Sequence, residues 1–190
     1  MNTETWKKKL KADLNPERYR HTLAVADTAR ELARLHGVDP DKAYAAGLLH
    51  DCAKCADKAH LREICESYGM AWEPFFDRQP GMVHPFLGAF VARQDYGVAD
   101  EDMLAAIRSH TTGRPGMSPL EQIVYLADYI EPGREEHPGL AEARALAQTN
   151  LNAAMAYVLA QTIDYVKARG LAVYPLSDEA YDYYKPYLPQ

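Results

Sequence analysis

Helix start and stop signals recur along most of this chain and constrain its fold more than any other feature. Asn15-Pro16 combines an N-cap side chain with a proline at the first helical position, and Gly37 stands where that helix would end. Between them apolar side chains recur at steps of three and four residues, as an amphipathic helix requires. The segment Ser118-Pro119-Leu120-Glu121 has the spacing of a capping box.

The same signals predict a succession of helices and almost no strand. The only β-like segment is LAVYPLS (171–177), and the proline-containing stretch at 71–82 is expected to be a loop or short turn. The sequence therefore predicts an all-α fold, a helical bundle formed by a single domain over residues 1–190. The further helices are predicted from Asp39-Pro40 through His50, Asp57 to Gly69, His84 to Gly97, Asp100 to His110, Ser118 to Ile130, and Leu140 to Arg169 with an interruption near Thr149-Asn150.

Composition limits which binding partners and which cellular location are expected. The 190 residues are 47% hydrophobic and 25% charged with a net charge of −6, which argues against a nucleic-acid polymer or an anionic membrane as partner. A local positive site for a phosphate ligand remains compatible with this balance. No apolar run approaches the roughly 20 residues of a membrane span, and the N-terminus lacks a secretory apolar segment. We expect a cytoplasmic protein, for which a homodimer is possible.

Two motifs overlap in the stretch LLHDCAKCAD (48–57). His50-Asp51 is an adjacent pair of hard metal ligands, whereas Cys52 and Cys55 form a C-x-x-C motif. A thiol-redox or zinc-sulfur role would need a strand-to-helix setting or a second cysteine pair, and the third cysteine, Cys65, has no such partner. We therefore interpret the cysteines as small packing residues, and the His-Asp pair as the chemical feature.

Histidines and one unusual aspartate form the strongest constellation. Asp128 stands within the apolar helix segment YLADYI, where an unpaired carboxylate is costly to bury, so it reaches solvent, pairs with Arg108 or Arg134, or binds a metal. Imidazole with carboxylate ligands suits iron, manganese, cobalt or zinc. The remaining histidines, 36, 60 and 137, are expected at the surface. The candidate ligands, each on a predicted helix or its end, are His21, His50, Asp51, His84, His110 and Asp128.

The order H…HD…H…H…D resembles the HD-domain superfamily of metal-dependent phosphohydrolases. The segments RYRHTLAVADTARELA, AAGLLHDCAK, HPFLGA, AIRSHTTGRPGMS and IVYLADYIEPGR are similar to the YqeK family, bacterial HD hydrolases that cleave diadenosine tetraphosphate (Ap4A) symmetrically into two ADP. The resemblance runs from about Pro16 to Tyr183. The chain departs from the family at His84-Pro-Phe-Leu-Gly-Ala, where the family often has His-Ala-Pro before Val-Gly-Ala, but the histidine remains.

The resemblance implies a mechanism and a ligand set. It implies a dinuclear metal centre, usually iron, with manganese, cobalt or zinc as alternatives, at which a metal-bound hydroxide attacks the phosphorus beside the central bridging oxygen. In this pattern Asp51 bridges the metals and, with Lys54, is assigned a catalytic role. The first metal would be held by His21, His50, Asp51 and Asp128, and the second by His84 and His110 with Asp51.

A tetraphosphate needs local cations. Lys54 follows the HD pair by three residues, although a lone lysine is more often a solvated surface residue. Arg18 and Arg134 offer the planar fork that suits phosphate, and Thr111, beside His110, offers a donor. The resemblance places Val173, Tyr174, Pro175 and Tyr181 close to the nucleotide, where Tyr174 or Tyr181 stacks on adenine or simply packs.

Two rival interpretations remain open. One is an HD phosphohydrolase acting on another nucleotide. The other is a non-catalytic nucleotide-binding protein that retains the fold. The full set of motifs argues against the first, and six filled ligand positions argue against the second.

Overall fold

The computed structural model describes residues 2–54 and 56–188, and within them the regular structure is entirely helical. The predicted all-α fold is therefore confirmed. None of the helices in this part of the chain is long and apolar enough to cross a bilayer. The helices are α1 Thr3–Asp13, α2 Pro16–Leu35, α3 Pro40–Leu49, α4 Leu61–Ser67, α5 Pro74–Arg78, α6 Val83–Asp95, α7 Glu101–Ser109, α8 Pro119–Ile130, α9 Leu140–Thr149, α10 Leu151–Ala168 and α11 Pro175–Tyr184.

The predicted caps start the helices that carry the functional residues. The Asn15 side chain accepts a hydrogen bond from the backbone of Arg18 at the start of α2. At the start of α8 the Ser118 and Glu121 side chains form the complete capping box. Such caps satisfy backbone N–H groups that the first helical turn leaves without partners.

Two glycines bring the central helices into close contact. A Cβ added at Gly47 of α3 would lie 3.0 Å from Ala26 Cα and 3.2 Å from Ala29 Cβ of α2. A Cβ added at Gly88 of α6 would lie 3.2 Å from Ile107 Cγ2 of α7. These distances leave little room for a larger side chain in a close-packed interior. Both contacts lie within five residues of predicted metal ligands, so they set the spacing of the helices that present those ligands.

Several local predictions need correction. The β-like segment was wrong, because residues 171–174 are irregular and Pro175 begins α11, which buries Ala180 and Tyr184. The helix expected from Asp57 to Gly69 is shorter, since Asp57 caps a 3-10 turn that precedes α4. The proline-containing stretch at 71–82 includes α5 and a second 3-10 turn. The interruption expected near Asn150 is confirmed, where α9 ends and α10 begins.

Candidate metal centre

Side chains from five helices meet in the interior of the bundle. Helix ends determine several of these positions. His50 and Asp51 directly follow α3, His84 lies in the first turn of α6, and His110 directly follows α7. The other two ligands lie within the longer helices α2 and α8. The residues that meet are the six predicted as ligands: His21, His50, Asp51, His84, His110 and Asp128.

Asp51 lies between two groups of histidines. Its Oδ1 is 3.4 Å from His84 Nε2 and 3.5 Å from His110 Nε2, whereas its Oδ2 is 3.4 Å from His50 Nε2. The ligand atoms of His50, Asp51 and His21 also lie within 4.8 Å of one another, as do those of Asp51, His84 and His110. One carboxylate therefore belongs to two triplets that could each hold a metal ion.

Asp128 lies beside His21 and His50 in the cluster. Its Oδ1 lies 3.0 Å from His21 Nε2, 3.8 Å from His50 Nε2 and 2.6 Å from Arg134 Nη2. The sequence left open whether this carboxylate pairs with an arginine or faces a metal site. The structure places both an arginine and the histidine cluster beside it, and Arg108 instead lies over the Phe90 ring.

Backbone carbonyls orient three of the four histidines. A carbonyl can only accept a hydrogen bond, so each of these Nδ1 atoms carries the proton and each Nε2 keeps a lone pair. The Nε2 atoms of His84 and His110 face each other at 3.1 Å. The Nδ1 donors lie three residues after their acceptors: His50 to Gly47 O at 2.7 Å, His84 to Gly81 O at 2.6 Å, and His110 to Ile107 O at 2.7 Å.

The fourth histidine, His21, is oriented differently. Its Nδ1 lies 3.1 Å from Glu131 Oε1, a carboxylate at the end of α8. Glu131 is one of the residues that sequence reasoning missed. A glutamate directly after a buried helix, three residues beyond Asp128, was the available signal.

The donor set fits a metal ion. Among the described residues, His21 Nε2 and His50 Nε2 are buried and make no hydrogen bond, although His21 Nε2 lies close to Asp128. Buried polar atoms without partners are rare and costly in native proteins. A metal coordinated by these two nitrogens would satisfy both, and imidazole with carboxylate is a donor set for iron, manganese, cobalt or zinc.

Electrostatics keep the carboxylates ionised. Burial alone would raise the pKa of Asp51, but the neighbouring imidazoles of His50, His110 and His84 hold it well below its usual range. Burial likewise opposes ionisation of Asp128, whose pKa is nevertheless lowered by His21, His50 and Arg134, among others. Burial, with neighbouring His110, lowers the pKa of His84 far below the usual value. Ionised carboxylates and a neutral imidazole are the protonation states that metal binding requires.

The predicted cationic and hydroxyl residues border the cluster. Arg18 Nη1 donates to Asp51 Oδ2 at 2.9 Å, and Arg134 donates to both the backbone oxygen and the carboxylate of Asp128. Thr111 Oγ1 lies 3.1 Å from His84 Nε2. All three side chains therefore contact candidate metal ligands at the border of the cluster.

Lys54 lies on the turn that follows the HD pair, and its backbone N–H donates to Asp51 O at 2.9 Å. The residue as a whole is exposed, yet the protein around its ammonium group desolvates it and lowers its pKa. Asp51 and Asp128 oppose that shift, whereas Arg18 and Lys58 add to it. Lys54 therefore sits in the electrostatic field of the cluster while its side chain remains open to solvent.

The C-terminal residues predicted near the nucleotide make packing contacts. The Tyr174 hydroxyl donates to Glu73 Oε2 at 2.6 Å, and its ring packs edge-on against Phe75 and also against Phe86. Tyr181 is half-buried against the hydrophobic core. Val173 is half-buried in the irregular segment, and Pro175 is exposed at the first position of α11.

A hydrogen-bond network holds the turn after His110. Glu121 is buried and accepts hydrogen bonds from Ser109 Oγ at 2.9 Å and from Arg114 Nε at 2.7 Å. The capping role of Glu121 was predicted, but these two additional bonds were not. Both bonds lead to Glu121 in the first turn of α8. One comes from Ser109, directly before His110, and the other from Arg114, which follows Thr111 along the chain.

The remaining cysteine and histidine predictions have mixed outcomes. Cys52 belongs to the hydrophobic core and its thiol lies 3.4 Å from Gly88 O, whereas Cys55 lies outside the described residues. His60 and His137 are exposed as expected. The surface prediction was wrong for His36, which is half-buried because its Nε2 contacts Ala147 O of α9 at 2.7 Å.

Comparisons with known proteins identify the family to which this chain belongs. Residues 18–133 match the HD domain family. The chain is 41% identical over 166 residues to the symmetrical bis(5'-nucleosyl)-tetraphosphatase of Halalkalibacterium halodurans, covering 87% of this chain and 88% of its relative. The enzymes of the same name from Bacillus subtilis and Staphylococcus aureus are 41% and 33% identical, over 92% and 97% of this chain and 93% and 95% of theirs.

A solved structure shares the whole architecture. The crystal structure of a predicted HD superfamily hydrolase involved in NAD metabolism, from Clostridium acetobutylicum, superposes with a TM-score of 0.92 at 39% identity over 98% of each chain. The match to the HD domain family and the similarity to these relatives agree with the observed cluster of histidines and aspartates. The chain therefore belongs to the HD-domain superfamily and, within it, to the family of symmetrical bis(5'-nucleosyl)-tetraphosphatases.

Proposed function

We propose that this protein hydrolyses Ap4A symmetrically to two ADP at a dinuclear metal centre. The relatives that share its length and motifs are symmetrical bis(5'-nucleosyl)-tetraphosphatases. The observation that carries the proposal is the position of Asp51, whose two oxygens face different histidines. A carboxylate that faces two groups of ligands could contribute to both sites of a two-metal hydrolase.

The ligands divide into two sets that share Asp51. His21, His50 and Asp128 would hold one ion with it, and His84 and His110 the other. When bound, such a pair supplies Lewis-acid stabilisation of phosphate charge and lowers the pKa of water. We propose iron, with manganese, cobalt and zinc as the alternatives that this donor set also accepts.

The chain's own cations would bind and orient the polyphosphate. Arg18 and Arg134 present guanidinium groups at the edge of the cluster, where planar forks match phosphate oxygens. Lys54 would stabilise charge on the departing ADP, because its ammonium lies in the electrostatic field of Asp51 and Asp128. We expect Lys54→Ala to lower kcat about 100- to 1,000-fold, the scale of one lost electrostatic contact.

The adenosine side of the substrate remains a separate proposal. Val173, Tyr174, Pro175 and Tyr181 are retained as candidates for that side, and Tyr174 would first have to leave its contact with Glu73 in order to stack. A cytoplasmic location and a homodimer are likewise proposals, and sedimentation of the purified protein tests the dimer.

The decisive experiment is product analysis on the as-isolated protein. Ap4A is incubated with the enzyme while metal content is measured on the same sample, and nucleotides are separated by ion-exchange chromatography. Two ADP are expected. AMP with ATP would show asymmetric cleavage and reject the proposed reaction, whereas slow turnover of Ap4A with fast turnover of another nucleotide in a substrate panel would favour the first rival. Absence of metal-dependent turnover on every nucleotide would favour a non-catalytic binding protein.

A further inference from the structure

Glu131 is a buried carboxylate at the end of α8 with no role in the proposed chemistry. Its side chain is only 4% exposed. Oε1 lies 3.1 Å from His21 Nδ1, and Oε2 accepts the backbone N–H of Gly133 at 2.5 Å. Arg134 Nε also lies 3.9 Å from Oε1, so the carboxylate is held between helix α2 and the turn after α8.

We propose that Glu131 is the positioning residue that holds His21 for metal binding, and that Gly133 leaves the space its carboxylate needs. The inference rests on the proposed function in one respect, since it takes His21 to be a metal ligand. The other three histidines need no such residue, because backbone carbonyls already hold their Nδ1 atoms.

The carboxylate determines which nitrogen of His21 faces the cluster. An ionised glutamate can only accept, so Nδ1 donates to it, and the lone pair of Nε2 would be taken by a metal ion held between His21 and Asp128, whose Oδ1 lies 3.0 Å away. A carboxylate behind a ligating histidine fixes the ring and raises its basicity, and losing such a partner typically costs 10- to 100-fold in metal affinity.

Glutamine cannot replace this carboxylate without cost. An amide offers one acceptor oxygen and one NH2 group, whereas His21 Nδ1 and Gly133 N both donate. One of the two donors would therefore face another donor. We expect Glu131→Gln to rotate or release His21, even though the side chain has nearly the same size.

Gly133 provides an independent way to move the same carboxylate. A Cβ at Gly133 would lie 2.9 Å from Glu131 Oε2 and 3.3 Å from Oε1, closer than side chains tolerate. The backbone at Gly133 does not have positive φ, so alanine is compatible with the turn. Arg144 donates to the backbone oxygens of Ile130 and Glu131, which holds the main chain. The flexible carboxylate is therefore the part that shifts, away from His21.

The test measures metal affinity by chelator competition on protein first stripped of metal and then titrated with iron(II) or manganese(II). Glu131→Gln and Gly133→Ala are each expected to weaken binding about 10- to 100-fold at one of the two ions. Activity should recover as metal is raised, with KM for Ap4A unchanged. The matched control is Glu135→Gln, which removes the same charge from an exposed position of the same segment and should bind metal like the wild type.

Two readouts separate positioning from a general loss of structure. The cobalt(II) absorption spectrum should change in both variants, because the geometry of a nitrogen ligand changes. The thermal unfolding midpoint of metal-free Gly133→Ala should stay close to that of the wild type, since only a side-chain end is displaced.

Wild-type metal affinity in both folded variants would overturn the positioning role and leave the proposed function intact. A wild type that binds no metal would overturn both. Asymmetric cleavage of Ap4A by a metal-loaded wild type would overturn the proposed reaction only, and reduced affinity in the two variants would still support the role of Glu131.

Discussion

The two halves of the metal centre differ at one histidine, because His50, His84 and His110 are held by nearby backbone carbonyls and His21 is held by a side chain. In the half built from α6 and α7, His84 and His110 are held by carbonyls three residues earlier in the chain. In the half built from α2 and α8, His21 is held by a carboxylate 110 residues away in sequence. The carbonyl contact forms within one helix end, whereas the carboxylate reaches His21 only when two helices pack against each other correctly. The first half should therefore resist side-chain substitution better than the second.

Asp51 joins the two halves, so its removal should have the largest effect. Asp51→Ala deletes a ligand from both sets and leaves Arg18 and three histidines without their shared anion. We expect loss of metal and a fall in kcat of more than about 1,000-fold, since two-metal assistance supplies several kcal/mol. Metal analysis and steady-state kinetics check this, with exposed Asp57→Ala as control. Full turnover by metal-free Asp51→Ala would refute the shared role.

His84→Ala should remove one half alone. The remaining ligands still include His21, His50, Asp51 and Asp128, so we expect about one metal equivalent to be retained and kcat to fall about 100-fold or more. Metal stoichiometry after dialysis is the measurement. Loss of both ions on this substitution would show that the halves do not bind metal independently.

Acid should destabilise the metal-free protein through Asp51 and Asp128. Both carboxyl groups have pKa values below the ordinary value near 4, so their ionised forms stabilise the fold. That contribution is fully present above the ordinary pKa and is lost as pH falls toward the lower folded-state values. Urea unfolding between pH 7 and pH 3 should show a steeper decline for the wild type than for Asp128→Asn. Parallel curves would contradict the assignment.

Ser109→Ala should have the smallest effect and sharpens the contrast between halves. It removes one hydrogen bond to Glu121, which keeps its bonds from Arg114, at a cost of about 1 kcal/mol in the free energy of unfolding. Metal affinity should not change, because the carbonyl of Ile107 still orients His110. Denaturant titration and chelator competition measure the two quantities. A large loss of metal affinity would mean that this half also depends on side chains.

Local sequence signals were sufficient for most of the helices and failed where packing decides. The caps at Asn15 and Ser118 use side chains and backbone donors within four residues, so their outcome follows from the sequence. The β-like interpretation of 171–177 failed because Pro175 starts a helix whose Tyr184 hydroxyl accepts from the backbone of Met117, a contact 67 residues away. Val173 and Tyr174 have strand-forming side chains, but their contacts are set by distant elements.

Residue chemistry and short spacings along the chain were enough to predict the helical fold, the six candidate ligands and the family resemblance. The place of Asp51 between the two histidine groups was already implied by the family resemblance. Packing between helices set the other contacts, in which Arg134 rather than Arg108 meets Asp128 and Glu131 contacts His21. These contacts join residues on separate helices, and their distances are set by how closely α2, α3, α6, α7 and α8 can pack. Gly47 and Gly88 allow that approach, and no pattern along the chain specifies where it brings the side chains together.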